Sequence, residues 1–119
     1  MSIKTFNSRS KISRAELSAL AKEVYVDMVK GVVDVRRRVL ALGGELHADC
    51  KQILLDQGSK QEDLWGFNIY VERPQESWLE YTSMINIRPR QGNSSREVLD
   101  PKIRQQIKDI IDQMAAFNG

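Results

Sequence analysis

The sequence predicts an α+β fold: a single domain in the order α-β-β-α-β-β-α, with a mainly antiparallel sheet of about four strands packed with helices. Three observations support it. The chain has 119 residues, which suits one hydrophobic core that needs neither metal nor disulfide. Three stretches carry apolar residues at helical spacing. Between them lie two pairs of short runs with strand character.

Residues 1–12 are polar and aperiodic, and read as a flexible N-terminal arm or a short added strand, which leaves 13–119 as the domain. Ser13 and Glu16 have the S-x-x-E spacing of a capping box. Leu17, Leu20, Ala21, Val24 and Met28 follow at helical spacing, so a helix is predicted over 14–28. The run 29–35 is short and β-branched, and 39–42 resumes it after Arg36, Arg37 and Arg38. The two form an antiparallel hairpin with the arginines at its tip, and Gly43-Gly44 then suggests a bulge or a close backbone approach.

Residues 45–50 have two readings. In one, Asp49 with Gln52 caps a helix that starts at Cys50 and stops at Gly58; in the other, the helix begins near Glu45. The Asp49 cap is preferred, because Gly43-Gly44-Glu45 makes a poor first turn. After a polar loop, Trp65, Phe67, Ile69 and Val71 alternate with polar or small residues, and Leu79, Tyr81, Ser83, Ile85 and Ile87 alternate with Glu80, Thr82, Met84, Asn86 and Arg88. This period of two predicts the longest hairpin of the protein. Asp100 as cap and Pro101 at the first position open the last helix, whose stripe is Ile103, Ile107, Ile110, Ile111 and Met114.

Three blocks resemble a family of small bacterial proteins catalogued only as a domain of unknown function. They are Gly43-Gly44-Glu45-Leu46-His47-Ala48-Asp49; Gln57-Gly58-Ser59-Lys60-Gln61 with Leu64-Trp65-Gly66; and Met84-Ile85-Asn86-Ile87-Arg88-Pro89 with Gly92-Asn93. The likeness runs from about Met28 to Ile107. It implies a bacterial, cytosolic origin and carries no activity to transfer.

Composition narrows the function classes. Cys50 has no second cysteine in the sequence to pair with, so nothing suggests a secreted disulfide scaffold. The N-terminus lacks the apolar core of a signal peptide, and no stretch approaches the roughly 18 apolar residues of a membrane span. The expectation is a cytoplasmic protein with no membrane partner. Lys and Arg number 18 against 16 Asp and Glu, a net +2, which disfavours a dedicated nucleic-acid binder.

Two constellations could carry chemistry. Glu45, His47 and Asp49 are candidates for acid/base work, or as ligands of a divalent metal, if the segment is extended and the side chains share a face. The simpler reading is a cap at Asp49 with a solvated or hydrogen-bonded His47, and no metal or cofactor is expected. The second constellation is the polar edge of Asn86, Arg88, Arg90, Asn93, Ser94, Ser95 and Arg96, where guanidinium forks and a Gly-Asn-Ser-Ser loop suit a small anion. Its structural alternative is a turn-rich loop whose arginines pair with nearby acids. Neither a Walker A loop nor G-x-G-x-x-G is present. Trp65 and Trp78 read as core or interface anchors, and Cys50 as a buried small residue.

These residues favour a non-enzymatic module that binds a small anionic ligand or a protein partner, including a second copy of itself across an open sheet edge. The alternative is a small hydrolase-like enzyme with His47 as acid or base, Glu45 and Asp49 orienting it, and Arg88 or Arg96 holding an anionic substrate. That alternative requires the two constellations to meet in one cleft.

Overall fold

The capping box forms as its spacing requires: Glu16 N–H donates to Ser13 Oγ and Ser13 N–H to Glu16 Oε1, both at 3.1 Å. From that fixed start, the computed structural model, which describes residues 2–115, places three helices and five strands. They are β1 (Ile3–Phe6), α1 (Arg14–Val24), β2 (Met28–Asp34), β3 (Val39–Gly43), α2 (His47–Asp56), β4 (Leu64–Tyr70), β5 (Leu79–Glu80) and α3 (Pro101–Met114). The end of the expected 13–119 range, residues 116–119, lies outside the described residues.

The sheet order is β1-β3-β2-β4-β5, and every neighbouring pair is antiparallel. The fold is α+β as expected, but the sheet has five strands rather than four, and the order begins with a strand. Ile3 to Phe6 pair with Gly43 to Leu40, so the added strand replaces the flexible arm over these residues. Phe6 is buried, which gives the strand an apolar anchor. At Gly43, in the left-handed region at φ 115°, a side chain would collide with the Ser2 carbonyl, so glycine permits the close approach.

α1 stops four residues short of the predicted end. Val26 N–H donates to Ala21 O at 2.7 Å and Val26 turns to φ 70°, which closes the helix. Met28 then pairs with Tyr70 and belongs to β2. α3 opens as predicted, with Asp100 Oδ1 accepting from Lys102 N–H at 2.8 Å and Pro101 at the first turn. Ile107, Ile110, Ile111 and Met114 of its stripe are buried.

The sheet separates two apolar layers. On one face, α1 and α3 pack against Val29, Val33, Leu40, Leu42, Trp65, Phe67 and Ile69. On the other, Cys50 and Leu54 of α2 cover Val32, Ala41 and Leu64. α2 is short, so it covers this second face only at one end, and the rest carries polar side chains and the segment 83–97.

That segment corrects the second predicted hairpin. Only Leu79 and Glu80 pair with β4; the longest ladder is β2 with β4, seven residue pairs from Met28↔Tyr70 to Asp34↔Leu64. Beyond Glu80 the backbone turns to a different neighbour, with Ser83 N–H bonded to Arg96 O and Val98 N–H to Tyr81 O. Ser83 Oγ accepts from Ile85 N–H and starts a single 3-10 turn, Met84–Asn86. The expected in–out pattern is inverted there: Asn86 is fully buried and Ile87 is exposed.

Asn86 is buried because its amide stands in for a strand. Its Oδ1 accepts from Gly66 N–H at 2.8 Å, and its Nδ2 donates to Gly66 O and Arg96 O, both at 3.0 Å. A carboxamide presents one donor side and one acceptor, the same pair that a peptide group offers. Gly66 makes the approach possible, since a Cβ there would lie 2.5 Å from Ser83 Cβ. Replacing Asn86 by the near-isosteric Asp keeps the acceptor and removes the donor. Asn86→Asp should therefore cost about 3 kcal/mol, because the buried Gly66 carbonyl loses its donor and a carboxyl oxygen comes to face Gly66 O and Arg96 O in its place; urea unfolding measures it, and a cost below about 1 kcal/mol would contradict the role assigned to the amide.

Candidate functional site

Two depressions lie beside β4, and each is lined by part of one residue group that the sequence singles out: Arg88 and Arg90 in one, His47 in the other. The larger, about 400 Å³, is walled by Gln61, Arg88, Pro89, Arg90 and Gln91. Arg88 forms its floor. The guanidinium donates to Ile85 O at 3.1 Å, Gln61 O at 2.7 Å, Gln91 Oε1 at 3.2 Å and Leu64 O, and it stacks 4.2 Å from the Trp65 ring. Every one of these acceptors is neutral. No carboxylate pairs with Arg88 among the described residues, and burial lowers its pKa from the ordinary arginine value. A half-buried positive charge is thus held by carbonyls and a π-face, with its Coulombic demand unmet. Arg90 stands exposed at the rim, two residues on.

The remaining members of the polar edge divide by burial. Asn86 is occupied by Gly66 and Arg96, as described. Asn93 is buried too: its Nδ2 donates to Asn86 O, Ser95 O and Glu97 O, and its Oδ1 accepts from Leu99 N–H. Gly92 at φ 76° turns the chain into this arrangement. Ser95 Oγ accepts from Glu97 N–H at 3.1 Å. Asn86, Asn93 and Ser95 therefore hold the loop in shape, while Arg90 and Arg96 present exposed side chains.

The smaller depression, about 170 Å³, lies between the start of α2 and the 3-10 turn, and is lined by Lys30, Leu46, His47, Ala48, Ser83, Met84 and Ile85. α2 begins at His47 with Leu46 as an N-cap that offers no side-chain bond, so the preferred Asp49 cap and the start at Cys50 are both corrected. The chain turns into helix once Cys50 and Leu54 can reach the apolar end of the sheet; Cys50 Sγ donates to Gly43 O at 3.2 Å. Glu45 and Asp49 are exposed, and the described residues contain no group of three or more His, Cys, Asp or Glu placed to hold a metal ion. Glu45 contributes its carbonyl, which accepts from Tyr25 Oη at 2.6 Å.

His47 instead reaches the sheet. Its Nε2 lies 2.9 Å from both Phe67 O and Asn68 Oδ1. Asn68 is oriented by its own bonds, since Nδ2 donates to Glu80 Oε1 at 2.7 Å and to Thr82 O at 3.2 Å. Both neighbours of Nε2 are acceptors, so Nε2 carries the proton and Nδ1 keeps a lone pair. Tyr70 Oη donates to the same Glu80 Oε1 at 3.2 Å; burial and the Glu80 charge push the phenol pKa up. The result is a hydrogen-bonded row of Tyr70, Glu80, Asn68 and His47. Burial lowers the His47 pKa, and the Lys30 ammonium adds to this against the opposing pull of Phe67 O, Asn68 and Glu80.

Lys30, Asn68, Tyr70 and Glu80 were not among the sequence candidates. Their signal is weak: Lys30 is a lone charge in a β-branched run, and the others are polar members of an alternation. Only the register, Lys30↔Asn68 and Asn68↔Glu80, places them in one row.

The two depressions do not merge. His47 binds at Phe67 O and Arg88 at Leu64 O, three residues apart on an extended strand, which is about 10 Å. Direct proton transfer needs heavy atoms about 3 Å apart. Elsewhere, burial pushes the Cys50 thiol up to about 12, with Asp49 adding to the shift, so it is unreactive at neutral pH. The three tip arginines are held internally: Arg36 by Asp63 at 3.0 Å, Arg37 by Ser59 Oγ at 2.9 Å and Arg38 by Gln113. Trp65 and Trp78 are core residues.

Residues 7–114 match a family described as "Protein of unknown function (DUF5674)". No curated protein and no solved structure matches the chain.

The surroundings of His47 have a measurable consequence. Its folded pKa lies below the ordinary 6.5, so between the two values the unfolded chain binds more protons. The stability due to neutral His47 is complete above pH 6.5 and is lost as pH falls through the lowered folded value. In denaturant titrations across pH 7 to 5, the wild-type protein should lose stability and His47→Gln should have a flatter profile, whatever its absolute stability. Parallel profiles would show that the imidazole is not desolvated.

Proposed function

Because the chain belongs to the DUF5674 family, whose description assigns no activity, we propose its function from geometry: a non-enzymatic module that binds a small anion in the Arg88–Arg90 depression. The observation that carries this reading is the Arg88 charge, half-buried and paired with no carboxylate among the described residues. An anion seated against it would supply the missing counter-charge in a partly desolvated setting, where such a contact is strongest. The cavity is within the 300–1,000 Å³ span usual for small-molecule sites. Pro89, Gln61 and Gln91 line it beside the two arginines, and long side chains of this kind offer apolar stems as well as polar heads. The favoured ligand is an acid group on an apolar body.

The hydrolase reading has less support, since His47 and Arg88 do not share a cleft. A second copy of the chain is also a less favoured partner. The outer edge of β1 is four residues long and bears exposed Lys4, which are features that discourage edge-to-edge pairing.

Calorimetric titration with phenyl phosphate and benzoate, with inorganic phosphate for comparison, tests the proposal. The aromatic acids should bind, and Arg90→Gln should weaken them about tenfold, as expected for one charge-assisted contact. Among the described residues the Arg90 side chain makes no ion pair that its loss would disturb. Absence of heat with all three probes, or equal affinity in the variant, would overturn the assignment.

A further inference from the structure

We infer that the depression between the start of α2 and the Met84–Asn86 turn is a second ligand site, which takes a small hydroxy acid. The hydroxyl of the ligand donates to His47 Nδ1, and its carboxylate meets the Lys30 ammonium.

Three features of the site lead to this ligand. First, the imidazole is set in one tautomer. Nε2–H is directed to Phe67 O and Asn68 Oδ1 at 2.9 Å, which leaves Nδ1 as an acceptor. Asn68 cannot rotate to offer its amide nitrogen instead, because that nitrogen is bonded to Glu80 Oε1 and Thr82 O. A neutral ring whose far nitrogen is fixed by a carboxylate-bonded amide is an oriented acceptor for an incoming O–H.

Second, the charge at the cavity is positive. Lys30 lines it and forms no ion pair among the described residues; its ammonium lies 5.0 Å from the Tyr25 ring centroid and acts electrostatically on His47. Glu80 is on the other side of Asn68 and does not line the cavity, and neither do Glu45 and Asp49. A carboxylate therefore finds one cation and no facing acid.

Third, the volume and walls limit the ligand. About 170 Å³ is smaller than most cofactor or drug sites, and the exposed side chains of Leu46 and Met84 form an apolar rim. A short apolar body that carries a hydroxyl and a carboxylate matches these walls. This site is independent of the Arg88–Arg90 depression, since no residue lines both.

The protein contains a single histidine, so long-range proton–nitrogen NMR of the imidazole reports on His47 alone. Lactate is the probe; acetate lacks the donor and 1,2-propanediol lacks the acid. The free protein should show the Nε2–H tautomer. Lactate should shift the Nδ1 resonance saturably, and each comparison compound should bind about tenfold more weakly. Lys30→Gln and Lys30→Met should weaken lactate to a similar degree while the tautomer stays the same, which shows that the row around His47 remains folded. Arg90→Gln should leave lactate binding unchanged. The inference fails if lactate gives no response, if acetate matches it, if both Lys30 variants bind as the wild type does, or if Arg90→Gln abolishes the effect.

Discussion

The outer edge of β4 is the constraint on which the rest of this structure depends. β5 covers only two of its residues, yet an open strand edge is a row of unpaired donors and acceptors that invites association. Here the row is completed by a mixture of groups. Trp78 O takes Tyr70 N–H, Glu80 pairs with Asn68, the Asn86 amide takes both polar groups of Gly66, and the Arg88 guanidinium takes Leu64 O. Two side chains thus finish a ladder that a longer strand would otherwise have made. The arrangement satisfies buried backbone groups without adding a flat edge, and it frees the chain after Glu80 to turn away.

That turn produces both depressions. Bound to Gly66 through Asn86, the segment 83–97 lies against the second face of the sheet beside α2. Ser83, Met84 and Ile85 become one wall of the His47 cavity, and Arg88 to Gln91 become the floor and rim of the larger one. Asn93 fixes the segment from within by bonding four backbone groups of its own loop. The functional surface of this small protein is therefore a consequence of how it closes a sheet edge. A residue with the chemistry of a ligand group, such as Asn86, is part of the closure instead.

Much of the fold was legible in the sequence, because the signals were local. The Ser13–Glu16 box, the Asp100-Pro101 start and the hairpin of 29–35 with 39–42 each rest on residues a few positions apart whose chemistry has one ordinary outcome. The 79–88 run misled for a physical reason. Alternation reports which side chains share a face of an extended chain, but not whether the neighbouring partner is a backbone or an amide side chain. The start of α2 was misplaced because tertiary burial of Cys50 and Leu54 stabilises a helix that has no capping side chain. Of the site residues, His47, Arg88 and Arg90 were visible as types, and their partners were not. Asn68 and Glu80 meet through the register of β4 with β5, and His47 reaches Asn68 only because α2 docks on the sheet.

Native-state hydrogen exchange at the Gly66 amide tests the central claim most directly. If the Asn86 side chain acts as a strand, Gly66 N–H should exchange only with global unfolding, at a rate like that of the amides of β2. Exchange orders of magnitude faster, as at a frayed edge, would mean that β4 is open and that the segment 83–97 is not fixed by this contact.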